Sequence, residues 1–133
     1  MADLVTWHGR VAHEDLPDHY RRAGVTVLPS LTEAESFGMT LVEAMASGCY
    51  VIGSDTPPLH DAIEDGVNGR LLPFFDVEAL SEAMIAACRD PQASTPLRAA
   101  ARETAVAKFS RHDGRAAWLD LLREMGVEIR PVA

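Results

Sequence analysis

The sequence predicts an α/β domain, a Rossmann-like parallel sheet of about four strands with helices on both faces. Three observations carry this reading. Short apolar runs such as Val25-Thr-Val-Leu28 and Tyr50-Val-Ile52 have the near-continuous hydrophobicity of strands covered on both sides. Segments with helical apolar spacing stand between and after them. Gly, Pro, Asp and Asn punctuate the joints, as in Gly53-Ser-Asp-Thr-Pro-Pro58, Asp65-Gly66 and Asn68-Gly69. At 133 residues the chain is long enough for one domain with its own core. That domain is expected over residues 1–126, with 127–133 as a C-terminal tail.

In chain order, Leu4–Trp7 reads as a short strand ending at His8-Gly9. Asp15 or Leu16 opens a helix with Pro17 in its first turn; Leu16, Tyr20 and Ala23 form its stripe and Gly24 stops it. Val25–Leu28 is the second strand. A central helix runs from about Phe37 to Ser47, capped by Ser36 and ended by Gly48. Tyr50–Ile52 is the third strand. Pro57 or Pro58 starts a short helix through Ile63, and Arg70–Leu72 is the fourth strand. Asp76 caps a helix with Val77, Leu80, Met84 and Cys88 on one side, and Asp90-Pro91 ends it. Helices from about Pro96 to Phe109 and from about Arg111 to Met125 follow; the last places Ala117, Trp118, Leu121, Leu122 and Met125 at helical spacing.

Composition excludes several function classes. A formal net charge of −8 argues against nucleic acid and against an anionic membrane surface, both of which need basic protein surface. The sequence has no uninterrupted apolar run of transmembrane length and no signal-peptide pattern, so a cytoplasmic location without an integral membrane segment is expected. Cys49 and Cys88 lack metal or redox spacing and read as buried, reduced thiols. The five histidines, His8, His13, His19, His60 and His112, form no metal-binding pattern, so no metal site is expected. Neither a P-loop nor GxGxxG is present. Ser30 and Ser54 lie in loops outside any nucleophile elbow. His60, Asp55 and Asp61 stand in a loop at a strand end, where contact with a ligand competes with a simple helix-face role.

The stretch from Pro29 to Gly53 concentrates the chemistry. Glu35 precedes the central helix and Glu43 lies eight positions on, inside it, so the two are roughly 10 Å apart along the axis. Between them fall the first amides of the helix, at Phe37, Gly38 and Met39, under the positive end of its dipole. Carboxylates accept from hydroxyls, while amides and dipole favour phosphate or sugar oxygens, so an elongated polyol phosphate fits this order. Gly38 lets a ligand approach the backbone. A bare pair of glutamates at this spacing arises often by chance, and a first-turn Glu suits the dipole without any ligand. The neighbours decide: Glu43 is followed by Ala44-Met-Ala46, and a charge in so apolar a helix faces a cleft. Open parallel sheets bind ligands at the C-terminal ends of their strands. The loops there, Pro29–Ser36 and Gly53–Pro58, flank the central helix, so one cleft is expected to hold the whole site.

The segment ESFGMTLVEAMASG, Glu35 to Gly48, resembles the E-x7-E motif of retaining GT-B glycosyltransferases, the large family 4 of sugar-nucleotide-dependent enzymes. Upstream, Gly24-Val-Thr-Val-Leu-Pro-Ser30 resembles the strand that leads into that motif. Downstream, Asp65-Gly-Val-Asn-Gly-Arg-Leu-Leu72 resembles the family's DGxNGxL turn. The resemblance covers nearly the whole chain. It implies a partial C-terminal, donor-binding half of a GT-B fold, lacking units on its N-terminal side. By position it gives Glu35 the catalytic place at the donor sugar, with Glu33 as a nearby rival. It gives the Phe37, Gly38 and Met39 amides the sugar and phosphate oxygens, and Glu43 both ribose hydroxyls. One carboxylate can hold a vicinal diol with two charge-assisted bonds, each on the order of 1.5–3 kcal/mol. The loop from Thr56 to Asp61 matches the family's GGxPE loop, with Thr56 at the donor and Asp61 at the acidic place; Pro57 and Pro58 replace glycines there.

The resemblance also implies a strand–helix unit carrying an Arg and a Lys that neutralise the diphosphate, and no counterpart precedes Leu4. The expectation is therefore the donor-binding part of an enzyme that transfers a hexose from a nucleoside diphosphate sugar to an acceptor hydroxyl. It needs no cofactor and is inactive alone. The alternative is an assembly module that pairs with an N-terminal acceptor domain or with itself through an exposed sheet edge. An epimerase-like nucleotide-binding protein is a third reading, disfavoured by the lack of a Gly-rich loop after the first strand.

Overall fold

A computed structural model describes residues 4–30 and 37–127. Three parallel strands form the sheet: β1 (Val25–Leu28), β2 (Tyr50–Ser54) and β3 (Arg70–Leu72), in spatial order β1-β2-β3. Val25 pairs with Tyr50 and Leu28 with Gly53 across one ladder; Ile52 pairs with Arg70 and Ser54 with Leu72 across the other. The helices are α1 (Leu16–Arg22), α2 (Met39–Ala46), α3 (Val77–Arg89), α4 (Thr95–Phe109) and α5 (Arg111–Glu124), with a short 3-10 helix at Pro57–Asp61.

The expected strand Leu4–Trp7 does not form. Leu4, Val5 and Trp7 are 87%, 75% and 91% exposed. A strand exists only through a hydrogen-bonded neighbour, and among the described residues β1 pairs with β2 alone. Strand propensity in this segment thus has no ladder to join.

The core lies on one face of the sheet. Leu41, Ala44 and Met45 of α2 are fully buried and Val42 nearly so. They pack with Val51 of β2, with Leu59 and Ile63, and with Ala101 and Ala105 of α4. The period-2 alternation of a strand assigns the faces. Val51, Gly53 and Leu71 point toward α2; a β-carbon on Gly53 would stand 2.9 Å from both Leu41 and Leu59. Val27, Ile52 and Leu72 point to the other face, where they share a cavity with Leu80 of α3.

That second face is thinly covered. The stripe expected on α3 is turned partly to solvent: Val77 is 76% and Met84 43% exposed, and Cys88 is exposed rather than buried. Ala79, Leu80, Ala83 and Ala87 are instead the half-buried residues. Most of these positions are small alanines that border concavities between α3 and the sheet, and the larger residues one step round the helix fall outside. α5 buries no residue completely, and Trp118, Leu121 and Met125 of its apolar stripe are exposed.

Local chemistry fixes the ends of α2. At its C-terminus the Gly48 amide donates to Met45 O (2.9 Å) and the Cys49 amide to Ala44 O (3.0 Å), with Gly48 at φ +79°. This is a Schellman stop built on glycine, as expected. Arg98 Nε adds a bond to Gly48 O at 2.8 Å, and Arg102 bonds Ala46 O, so two α4 cations sit at the negative end of α2. The N-terminus differs from expectation. Gly38, not Ser36, is the N-cap, and the helix begins at Met39; Ser36 lies outside the described residues. Asp76 caps α3 as expected, accepting from the Ala79 amide at 2.8 Å.

The turn before β3 is stitched to the core by Asn68, which is 5% exposed. Its Oδ1 accepts from the Glu64 amide (2.8 Å), and its Nδ2 donates to Ala62 O (3.1 Å) and Thr104 Oγ1 (3.1 Å). Replacing it leaves the Glu64 amide and the carbonyl of the buried Ala62 without these partners. Asn68→Ala is expected to lose about 2–3 kcal/mol of folding free energy, read as a lower denaturant midpoint at unchanged m-value.

Candidate functional site

Two concavities bear on the expected site, one at the strand ends on the α3 side of the sheet and one on the flank of α2. The first, about 90 Å³, opens at the C-terminal ends of the strands, with Leu28, Ser30, Gly53, Ser54, Leu72 and Phe75 in its wall. Phe75 holds φ 63°, a left-handed backbone that is uncommon for a bulky residue, and is 67% exposed at the rim. Ser30 Oγ in this wall is buried without a hydrogen-bond partner among the described residues. Thr56 Oγ1, in the loop after β2, is likewise buried and unpartnered, in a residue 3% exposed. A buried hydroxyl without a partner costs about 1–3 kcal/mol; Ser30 Oγ borders the cavity, where a ligand or water can satisfy it, whereas Thr56 is not in the cavity wall.

The second concavity, about 210 Å³, lies between α1 and α2, and Glu43 is in its wall with His13, Leu16, Tyr20 and Ser47. Glu43 is half-buried, flanked along α2 by the buried Val42 and Ala44. Its Oε2 accepts from the Tyr20 hydroxyl at 3.2 Å, the one hydrogen bond to this carboxylate among the described residues. Burial first, then the charge of Glu43 and the bond to it, raise the Tyr20 pKa above 10.0. The hydroxyl therefore keeps its proton and donates throughout neutral pH. Burial likewise raises Tyr50, opposed by Arg70.

Among the described residues, Glu43 and the strand ends border different concavities, and most of the expected cleft loop, residues 31–36, lies outside the described residues. Glu43 opens toward α1, whereas the strand-end cavity is bounded by β1, β2, β3 and the start of α3. The reason is α2 itself, which carries its first turn at the strand ends and Glu43 along its flank. Glu33 and Glu35 lie outside the described residues. Phe37 is half-buried and packs edge-to-face on Phe109, with centroids 5.3 Å apart at 82°. Gly38 is buried, and Met39 is 55% exposed. Leu41 and Val42 donate their amides to Gly38 O (2.8 and 3.2 Å), closing the first turn.

His60 Nε2 pairs with Asp55 Oδ1 at 2.5 Å, both more than half exposed. With Asp61 they face a separate groove beside Thr104 and Lys108. Sequence reasoning missed Tyr20 as the partner of Glu43. The available signal was a tyrosine on the apolar stripe of α1, whose hydroxyl needs a partner once covered. Among the described residues, no group of three or more His, Cys, Asp or Glu could hold a metal ion, and no helix is long and apolar enough to cross a membrane.

A three-stranded parallel sheet with helices packed on it defines an α/β domain of the Rossmann-like kind. The sequence model described as "Glycosyl transferases group 1" matches residues 1–105, and the chain belongs to that family. Among its relatives is the D-inositol 3-phosphate glycosyltransferase of Saccharomonospora viridis, 35% identical over 120 residues, which cover 90% of this chain and 27% of the relative. The sucrose-phosphate synthase of Thermosynechococcus elongatus superposes with TM-score 0.86 at 33% identity, over 92% of this chain and 30% of that one. The Anabaena protein HepE in complex with UDP-glucose shares the fold, with TM-score 0.78 at 23% identity over 83% of this chain and 30% of that one. The fold is part of one half of a GT-B glycosyltransferase. The chain spans less than a third of the length of each of these proteins.

Gly38 is the point where fold and site meet. Its φ is +69°, and a β-carbon there would collide with Leu59 Cδ2. The left-handed backbone costs about 1–2 kcal/mol for a residue with a β-carbon, and the contact adds overpacking of about 1–3 kcal/mol. Gly38→Ala is expected to lower the thermal midpoint markedly. Adding Leu59→Ala should restore less than its own cost to the double variant, a coupling that a double-mutant cycle reads directly.

Proposed function

We propose that the chain is the donor-binding part of a retaining glycosyltransferase that moves a hexose from a nucleoside diphosphate sugar to an acceptor hydroxyl. The observation that carries this reading is Glu43. The second glutamate of the motif holds a half-buried carboxylate at a cleft, with one oxygen already engaged and lone pairs left for hydroxyls. In this reading the ribose diol binds Glu43 and the diphosphate lies toward the first turn of α2. Phe37, Gly38 and Met39 supply backbone there, and the Thr56 loop lies beside it. Glu35 stands at the donor sugar. HepE, whose structure contains UDP-glucose, supports a donor of this class.

Inactivity alone follows from charge. Departure of the nucleoside diphosphate develops negative charge that cations must stabilise. Neither cavity has an Arg or Lys in its wall among the described residues. Binding of a nucleotide sugar is accordingly weak, and an acceptor domain is needed for turnover. Titration with UDP, GDP and ADP and their glucose, mannose and N-acetylglucosamine forms, followed by amide NMR shifts, tests this. Saturable shifts at Phe37–Met39 in the millimolar range are expected, and Glu43→Ala should abolish them. Shifts that persist in the variant would remove Glu43 from the site.

A second reading rests on β1. Among the described residues this Val-Thr-Val-Leu strand is paired on one side only, and its residues are half-buried. Such an edge invites pairing with a second copy or with an acceptor domain. Sedimentation at rising concentration is expected to show a dimer that Thr26→Pro, which cannot extend a ladder, disrupts. A monomer at all concentrations would exclude self-pairing.

A further inference from the structure

We propose that Tyr20 is a positioning residue for Glu43, presenting its carboxylate to the ribose diol of the nucleotide. The inference rests on the donor-binding reading and adds a residue to it. Glu43 and Tyr20 are 23 positions apart and meet because α1 packs on α2. The Tyr20 hydroxyl holds Oε2 from the α1 side. An ionised carboxylate has about four acceptor positions, so this bond leaves Oε1 and the remaining lone pair of Oε2 for two hydroxyls. A glutamate side chain otherwise rotates among several rotamers, and holding it in place before the ligand arrives removes part of the ordering cost of binding. Leu16 and Pro17 line the same cleft. The raised Tyr20 pKa keeps the donor protonated.

The test compares the full chain, Tyr20→Phe and Glu43→Gln. Each is titrated with UDP, GDP and ADP and with their 2′,3′-dideoxy forms. In the unaltered chain the nucleotide that binds should prefer its ribose form about tenfold or more, the scale of a single charge-assisted bond. Glu43→Gln should remove that preference. Tyr20→Phe should cut it about fivefold while leaving the dideoxy affinity unchanged. If Tyr20→Phe lowers the melting temperature but weakens both forms equally or neither, Tyr20 merely packs and the proposal is overturned, while the donor-binding reading stands on Glu43→Gln. If Glu43→Gln keeps the ribose preference, or no nucleotide binds saturably, both fall. A second measurement does not depend on Tyr20→Phe folding. Tyr20 and Tyr50 are the two tyrosines, so 3-fluorotyrosine in a Tyr50→Phe background reports Tyr20 alone. Its fluorine resonance should move with the ribose form and stay still with the dideoxy form; equal movement with both overturns the proposal.

Discussion

The burial of α2 is the constraint on which the rest of the structure depends. Leu41, Ala44 and Met45 have no exposed surface and Val42 keeps 5%. Burying a large aliphatic side chain contributes roughly 1.5–3 kcal/mol. No other helix among those described has as many buried positions. Alanines at the α4 contact, Ala101 and Ala105, let two helices approach closely over Val51. With α2 fixed between β2 and α4, β1 is drawn alongside β2 and α1 is drawn alongside α2. Glu43 is the one residue between Val42 and Met45 that is not buried with them. Its direction toward α1 is thus a consequence of the core rather than a separate feature.

Axial position is held by chemistry at both ends. Gly38 turns into the helix through a left-handed backbone against Leu59, and Gly48 turns out of it through another. Arg98 and Arg102 reach from α4 to the last carbonyls, where cations are favoured. A shift of α2 along its axis would break these contacts together. In the proposed reading this matters for binding, because the distance from the first turn to Glu43 must match the span from phosphate to ribose diol.

Much of the fold was legible because long patterns carry their own warrant. The alternation of apolar runs with amphipathic segments marks β1, β2, β3 and the five helices, and Asp76 and Gly48 end their helices by local chemistry. The misreadings share a cause. Leu4–Trp7 has strand composition, but a ladder partner is a property of the whole sheet. The stripe on α3 is a period, and a period does not say which side of the stripe meets alanines and which meets water; hence Val77, Met84 and Cys88 lie outside. Ser36 has the chemistry of a cap, yet Gly38 is the N-cap because only packing against Leu59 reveals the positive φ. At the site, Glu43 was legible through its motif and apolar neighbours. Its partner Tyr20 was not, since the pairing spans 23 residues and arises from helix packing.

The charge of the chain narrows how a donor could be held. With formal net charge −8, the field around the domain repels a diphosphate at long range. No Arg or Lys in either cavity wall offsets it among the described residues. In the proposed reading, attraction at the phosphate is left to backbone dipoles and to hydroxyls such as Ser30 Oγ, which carry no net charge. Recognition must then lean on the neutral end of the ligand, the ribose. A carboxylate serves there because it accepts two hydroxyl protons without requiring a counter-charge on the ligand. Its effectiveness depends on being held still, and Tyr20 supplies a hold that adds no charge and leaves acceptor positions open.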